Sequence, residues 1–160
     1  MIKGNEITLR PTEITDLEDL FLFQLDDDAN YLAAFTSEDP TDKQVYFEKF
    51  TKLLSDPTVN QQTILADENT VGSIAKFERN GEAEITYWID KTYWGKGIAT
   101  TALRDFLSIE TIRPIFGRVA FDNYGSQKVL EKCGFVRIGF DKGFANARRV
   151  EIEEFIYSLT

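Results

Sequence analysis

No histidine occurs anywhere in the 160 residues, and cysteine occurs once, as Cys133. The first absence removes imidazole as an acid, base or metal ligand and with it the usual zinc sites, so no metal is expected. A single thiol cannot close an internal disulfide. Long apolar runs are also missing: nothing approaches the roughly 20 residues that cross a bilayer. The opening residues Met1 to Glu6 lack the apolar stretch of a secretory leader, so a cytoplasmic location with no membrane partner is expected. Positive charge is in deficit, with 18 bases against 27 acids and a net charge of −9. That balance disfavours nucleic acid as a partner and would draw in cationic substrates such as amines, although the same surplus also serves solubility. Acid, base and nucleophile must therefore come from Glu, Asp, Tyr, Ser, Lys or the one thiol.

What is present is the material of a core. Hydrophobic residues make up 42% of the chain and aromatics 13%, which argues against disorder and for one domain spanning residues 1–160. Ile7 to Arg10 alternates and stops at Pro11, as a short strand would. Thr15 and Glu18 have capping-box spacing ahead of Leu17, Leu20, Phe21 and Leu25, which share one helical face until Asp26-Asp27-Asp28 interrupts it. Tyr31 to Pro40 reads as a loop, and a second helix starts near Thr41 and runs through Leu54. The period then changes to that of strands: Thr63 to Ala66, Val71 to Phe77 and Ala83 to Ile89, separated by turns at Asp67 to Asn69 and Asn80-Gly81. A helix from Gly97 to Ile109, a strand from Ile115 to Phe121 and a short helix from Ser126 to Lys132 closed by Gly134 follow. Phe135 to Phe140 and Val150 to Leu159 complete the chain as strands, with Arg148-Arg149 expected to be a solvated hairpin pair. No repeat or linker interrupts this order. The architecture is α+β, a mixed sheet with helices on its faces.

The most informative stretch runs from the strand ending at Asp90 through Trp94-Gly95-Lys96-Gly97-Ile98-Ala99-Thr100 into an apolar helical pattern. Strand, glycine turn and helix start in that order build an anion site, because the first N–H groups of a helix lack partners within it and carry the positive end of its dipole. A pyrophosphate-bearing ligand suits those donors. The Walker pattern is excluded because Lys96 is followed by Gly97, and a dinucleotide fingerprint would need glycine where Thr100 stands.

Together with Asn123, Ser126, Leu130 and Gly134-Phe135 about 25 residues further on, this loop resembles the GNAT acetyltransferase superfamily over nearly the whole chain. It is most similar to the branch containing the ribosomal-protein N-terminal acetyltransferases. The resemblance implies a mixed, mostly antiparallel sheet of about six to seven strands, splayed between Ala83–Ile89 and Ile115–Phe121, with helices on both faces. It also implies acetyl-CoA as the donor, its pyrophosphate held at Trp94, Gly95, Lys96, Gly97, Ile98, Ala99 and Thr100. Its pantetheine arm would lie against backbone near Trp88, Ile89 and Asp90 and against Asn123. Leu130 stands where many relatives carry a tyrosine acid. Ser126 matches a serine proposed in the closest branch to meet the departing thiolate, and it could equally be only a helix cap.

Acyl transfer needs a neutral amine, a polarised thioester carbonyl and a stabilised leaving group. The backbone N–H of Ile89 is the expected carbonyl donor. Glu84, directly or through water, is the expected base, the alternative being an exposed strand residue like Glu78 and Glu82. Cys133 reads as core packing. Phe35 and Glu38-Asp39 border the acceptor side that the resemblance implies. The expected reaction is acetylation of a primary amine, either a peptide or protein N-terminus or a small molecule such as a polyamine, amino sugar or aminoglycoside. A CoA-binding module without turnover is the remaining alternative. Relatives of this kind imply a monomer or homodimer.

Overall fold

In the computed structural model, which describes residues 6–160, the chain runs through strand β1 (Ile7–Pro11) and helices α1 (Leu17–Phe23), α2 (Asp27–Ala33) and α3 (Lys43–Ser55). Strands β2 (Asn60–Ala66), β3 (Asn69–Arg79) and β4 (Glu82–Ile89) follow, then helix α4 (Ile98–Ile109), strand β5 (Ile115–Ala120) and helix α5 (Tyr124–Lys132). A hairpin of β6 (Val136–Ala145) and β7 (Val150–Leu159) ends the chain. Met1 to Asn5, the part of the sequence read for a leader, lies outside the described residues. No helix among the described residues is long and apolar enough to cross a membrane.

All seven strands join one sheet in the order β1-β2-β3-β4-β5-β7-β6. Every pairing is antiparallel except β4 with β5, which is parallel. That exception spans only Ala83 to Ile85 against Ile115 to Gly117. Beyond it the two strands part, β4 staying with β3 as far as Ile89 opposite Gly72 and β5 staying with β7 as far as Ala120 opposite Glu154. The expected splay is present.

Side chains alternate across a strand, so β4 serves both faces. Ala83, Ile85 and Ile89 enter a core with Ile98, Ala102, Leu103 and Phe106 of α4 and Leu130 of α5. Glu84, Thr86 and Trp88 point to the opposite face, where α1, α2 and α3 lie. Gly72 of β3 is required by the close approach of its neighbour, since a Cβ there would sit 2.1 Å from the Trp88 carbonyl oxygen.

Several boundaries differ from the pattern read in sequence, and the cause is short-range capping. Asp26 does interrupt the first helix, but its carboxylate accepts from Ala29 N at 2.8 Å and so starts α2, whose end at Ala33 runs into the stretch expected to be loop. Asp42 caps α3 through Val45 N, so this helix begins at Lys43, two residues past Thr41. Thr15 caps nothing, because the first turn is closed by Asp16, which accepts from Glu13 N at 2.8 Å. The last helix starts two residues before Ser126, with Asn123 as its cap.

Asp16 also ties β1 and β2 to that turn. Its buried carboxylate forms two bonds of 2.7 Å with the Arg10 guanidinium and accepts from Thr63 Oγ1 at 3.1 Å. The Arg10 bonds outweigh burial and hold its pKa below the ordinary value of 3.8. A carboxylate depressed in this way stabilises the fold above its unfolded pKa and loses that contribution as pH falls through the folded value. Asp16→Asn should therefore lower stability by about 2 kcal/mol at pH 7, a figure reduced from a fully buried pair because Arg10 is partly exposed. In urea titrations the gap between variant and native protein should narrow on acidification, and a constant gap from pH 7 to 3 would contradict the assignment.

Candidate active site

The turn between β4 and α4 is built by two left-handed residues, Gly95 at φ +77° and Gly97 at φ +75°. Nothing lies within 4 Å of a Cβ added at either, so the turn presents open backbone and not a packed corner. Gly97 is the N-cap of α4 and makes no side-chain cap; its carbonyl takes the first helical bond, from Thr101 N at 3.1 Å. The N–H groups of Ile98, Ala99 and Thr100 thus lack intrahelical partners. Among the described residues no main-chain acceptor meets the N–H of Gly95, Lys96 or Gly97 either. These six successive donors lie at the N-terminus of a 12-residue helix, the positive end of its dipole, and Lys96 is exposed beside them. This cradle fits a diphosphate.

Trp94 does not join it. Its backbone N–H donates to Lys91 O at 3.1 Å and its indole Nε1 folds back to Ile89 O at 2.9 Å, so both of its donors are engaged within the chain.

Strand register corrects the expected backbone contacts on β4. Asp90 N donates to Val71 O at 2.8 Å, which makes Asp90 and Val71 a hydrogen-bonded pair and Ile89 and Gly72 the non-bonded pair beside it. By the same alternation Trp88 turns its main-chain groups to Ser73, while Tyr87 and Ile89 turn theirs toward the gap. Trp88 and Asp90 therefore offer no backbone to a ligand in the gap. The carbonyl of Asp90 accepts from Tyr93 N at 2.9 Å, and its carboxylate holds Thr92. Of the three residues expected there, Ile89 alone faces the opening, with its carbonyl already taken by Trp94.

Across the gap, Ser126 sits in the first turn of α5. Its hydroxyl lies 2.6 Å from the Tyr87 hydroxyl, a contact that joins α5 to β4. Burial pushes the Tyr87 phenol up to about 12, so it stays protonated at neutral pH. The two residues are 39 positions apart, so this pairing becomes visible only once β4 and α5 are in place. Asn123 accepts from Ser126 N at 3.3 Å and donates to Leu32 O at 3.4 Å, so both ends of its amide are engaged within the chain. Arg148 is not solvated. It forms two 2.7 Å bonds with Asp122, stacks 4.2 Å from the Tyr31 ring and donates to Tyr31 O, bracing the start of α5 against α2.

Glu84 is buried in the closed part of the β4–β5 seam, opposite Phe77 and Phe116. Arg79 approaches it at 3.3 Å and Arg118 at 3.6 Å. Burial raises its pKa despite both guanidiniums. It is thus neither an exposed strand residue nor a free carboxylate. Cys133 is half-buried and its thiol is pushed up by burial, as expected of packing.

On the face opposite α4, a cavity of about 260 Å³ opens between α1, α3 and the β3–β4 surface. Thr86, Tyr87 and Trp88 form part of its wall, so it meets β4 where that strand leaves β5. Phe35 and Asp39 border it, whereas Glu38 is exposed and outside the lining.

Comparisons with known proteins agree with this geometry. Residues 6–136 match the family model described as an acetyltransferase (GNAT) domain. A Bacillus subtilis (strain 168) protein named as a probable N-acetyltransferase, YjcK, is 30% identical, the match covering 87% of this chain and 85% of the relative. The ribosomal L7/L12 alpha-N-protein acetyltransferase RimL, solved in complex with coenzyme A, superposes with a TM-score of 0.80 at 18% identity, covering 96% of this chain and 93% of its own. A spermidine N-acetyltransferase SpeG chimera from Vibrio cholerae and hSSAT gives a TM-score of 0.72 at 24% identity, covering 94% and 93%. A splayed sheet, an unpartnered helix start at the mouth of the splay and a family match over most of the chain lead to one conclusion: the chain belongs to the GNAT acetyltransferase family.

Proposed function

We propose that this acyltransferase moves an acetyl group from acetyl-CoA to a primary amine by direct attack, with both substrates bound together. The observation that carries the proposal is the adjacency of the β4–β5 opening to the free N–H groups of Gly95 to Thr100. Acetyl-CoA supplies an activated acyl group: its C–S bond is exchanged for a C–N bond, and of two ammonium protons one ends on the thiol sulfur and one in solvent.

The chain's own residues divide the remaining work. Gly95, Lys96, Gly97, Ile98, Ala99 and Thr100 hold the diphosphate through main-chain donors. Ile89 N–H faces the gap and polarises a carbonyl oxygen placed there. Ser126, with its hydroxyl fixed by Tyr87, is the proton donor on the leaving-group side. Glu84 is the base. Among the described acids only Asp16 and Glu84 are buried, and Asp16 is committed to Arg10. Glu84 shares the acceptor face with Thr86 and Trp88, and a bridging water completes its reach. An N-terminal amine of a peptide and a small-molecule amine are both within this chemistry.

Three variants test the parts separately. Gly97→Glu puts a side chain at positive φ and a negative charge on the diphosphate cradle, so the thermal shift produced by CoA should vanish while the fold persists. An undiminished shift would remove the cradle from the proposal. Glu84→Gln should lower kcat/KM by about 100-fold with CoA binding retained, and Ser126→Ala by about tenfold or more. In the native enzyme kcat/KM should rise with pH through the raised pKa of Glu84, and the Gln variant should lose that limb. A loss below tenfold with the limb intact would return Glu84 to a purely ion-pairing role. CoA binding without acceptor-dependent thiol release would make the chain a binding module.

A further inference from the structure

The cavity beside β4 is walled largely by carbon. Leu20 and Phe23 come from α1, Tyr46 and Phe50 from α3, and Ala75 and Trp88 from the sheet. The Tyr46 and Phe50 rings lie 4.4 Å apart, and Phe21 packs edge-on against Tyr46 at 5.2 Å from outside the lining, so the α3 wall is a braced aromatic surface. Many of the polar groups that reach the cavity already have partners. Trp88 Nε1 donates to Phe23 O, and the Gln24 amide donates to Phe21 O and Pro40 O. Asp39 accepts twice from Thr41, and Asp42 caps α3.

Asp39 and Asp42 against Lys49 leave the lining one negative charge, enough to favour a single ammonium. A chain of several ammoniums would be stripped of water against aromatic carbon with too few carboxylates to replace it. An apolar group gains from the same burial. A volume of about 260 Å³ lies just below the range of about 300–1,000 Å³ for drug-sized ligands, which suits one side-chain-sized group.

We propose that the acceptor is a primary amine carried next to an aromatic or bulky apolar side group, the group seated in this cavity and the nitrogen presented at the Thr86–Trp88 edge. This rests on the acetyltransferase reading above. An apolar-first peptide and the matching amino-acid amide share the chemistry.

The test is acetyl-CoA-dependent thiol release by the full chain with phenylalaninamide, phenylalanylglycylglycine, glycinamide, spermidine and glucosamine. One or both phenylalanine acceptors should exceed the other three in kcat/KM by about tenfold or more, the discrimination expected from burying one large apolar group. The faster of the two identifies a free amide or a chain terminus as the source. Equal or better use of glycinamide, spermidine or glucosamine overturns the inference and leaves the acetyltransferase reading standing. No release with any of them, while a thermal shift shows acetyl-CoA bound, overturns both. Phe50→Ala should cost about tenfold with phenylalaninamide and little with glycinamide. Val45→Trp, at an exposed lining position, should act in the same sense if the Phe50 variant folds poorly. An equal loss with both acceptors would count against a side-group site.

Discussion

Three residues of parallel pairing join the two halves of this sheet. Ala83 to Ile85 meet Ile115 to Gly117, and every other strand contact is antiparallel and lies within one half. The short seam sets where β4 and β5 separate, and therefore where α4 begins, where α5 crosses and which backbone edge is left open. Leu130 of α5 packs beneath it, with its methyls 3.1 and 3.2 Å from where a Cβ of Gly117 would be. A larger residue at 117 would push α5 away from the seam. The same leucine fills the position at which the family resemblance led one to look for an acid, so packing under the seam and the absence of a tyrosine there are one fact.

Much of this was legible in the chain because the signals were local. A glycine turn between a strand and an apolar helix states its own geometry, and Gly95 and Gly97 do adopt the conformation that only glycine takes easily. The meander from β2 to β4 follows from alternation and turn residues. Helix starts were less legible, although Asp26 and Asp42 each stand three residues ahead of the N–H they cap. A run of aspartates reads as a break until one of them is seen to face a helix.

What could not be read was anything fixed by pairing between distant segments. Which of Trp88, Ile89 and Asp90 opens to the gap depends on the parity of β4 against β3, and one residue of slip would exchange their roles. The Tyr87 to Ser126 contact spans 39 positions, and that of Arg148 with Asp122 spans 26. Charge alone suggested a solvated Arg148, whereas its side chain is 5% exposed because the hairpin folds it onto Asp122 and Tyr31. Glu84 illustrates the same limit: strand periodicity placed it on a face, but its burial between two arginines came from β3 and β5.

The indole of Trp94 ties together two parts of the site that the chain would otherwise join only through a turn. Its bond to the Ile89 carbonyl reaches back five positions, so the last residue of β4 is fastened to the residue that precedes the glycines. A tryptophan that contributes no contact to the phosphate turn thus works as a latch: a shift of the turn would be carried to the strand edge and not absorbed between them.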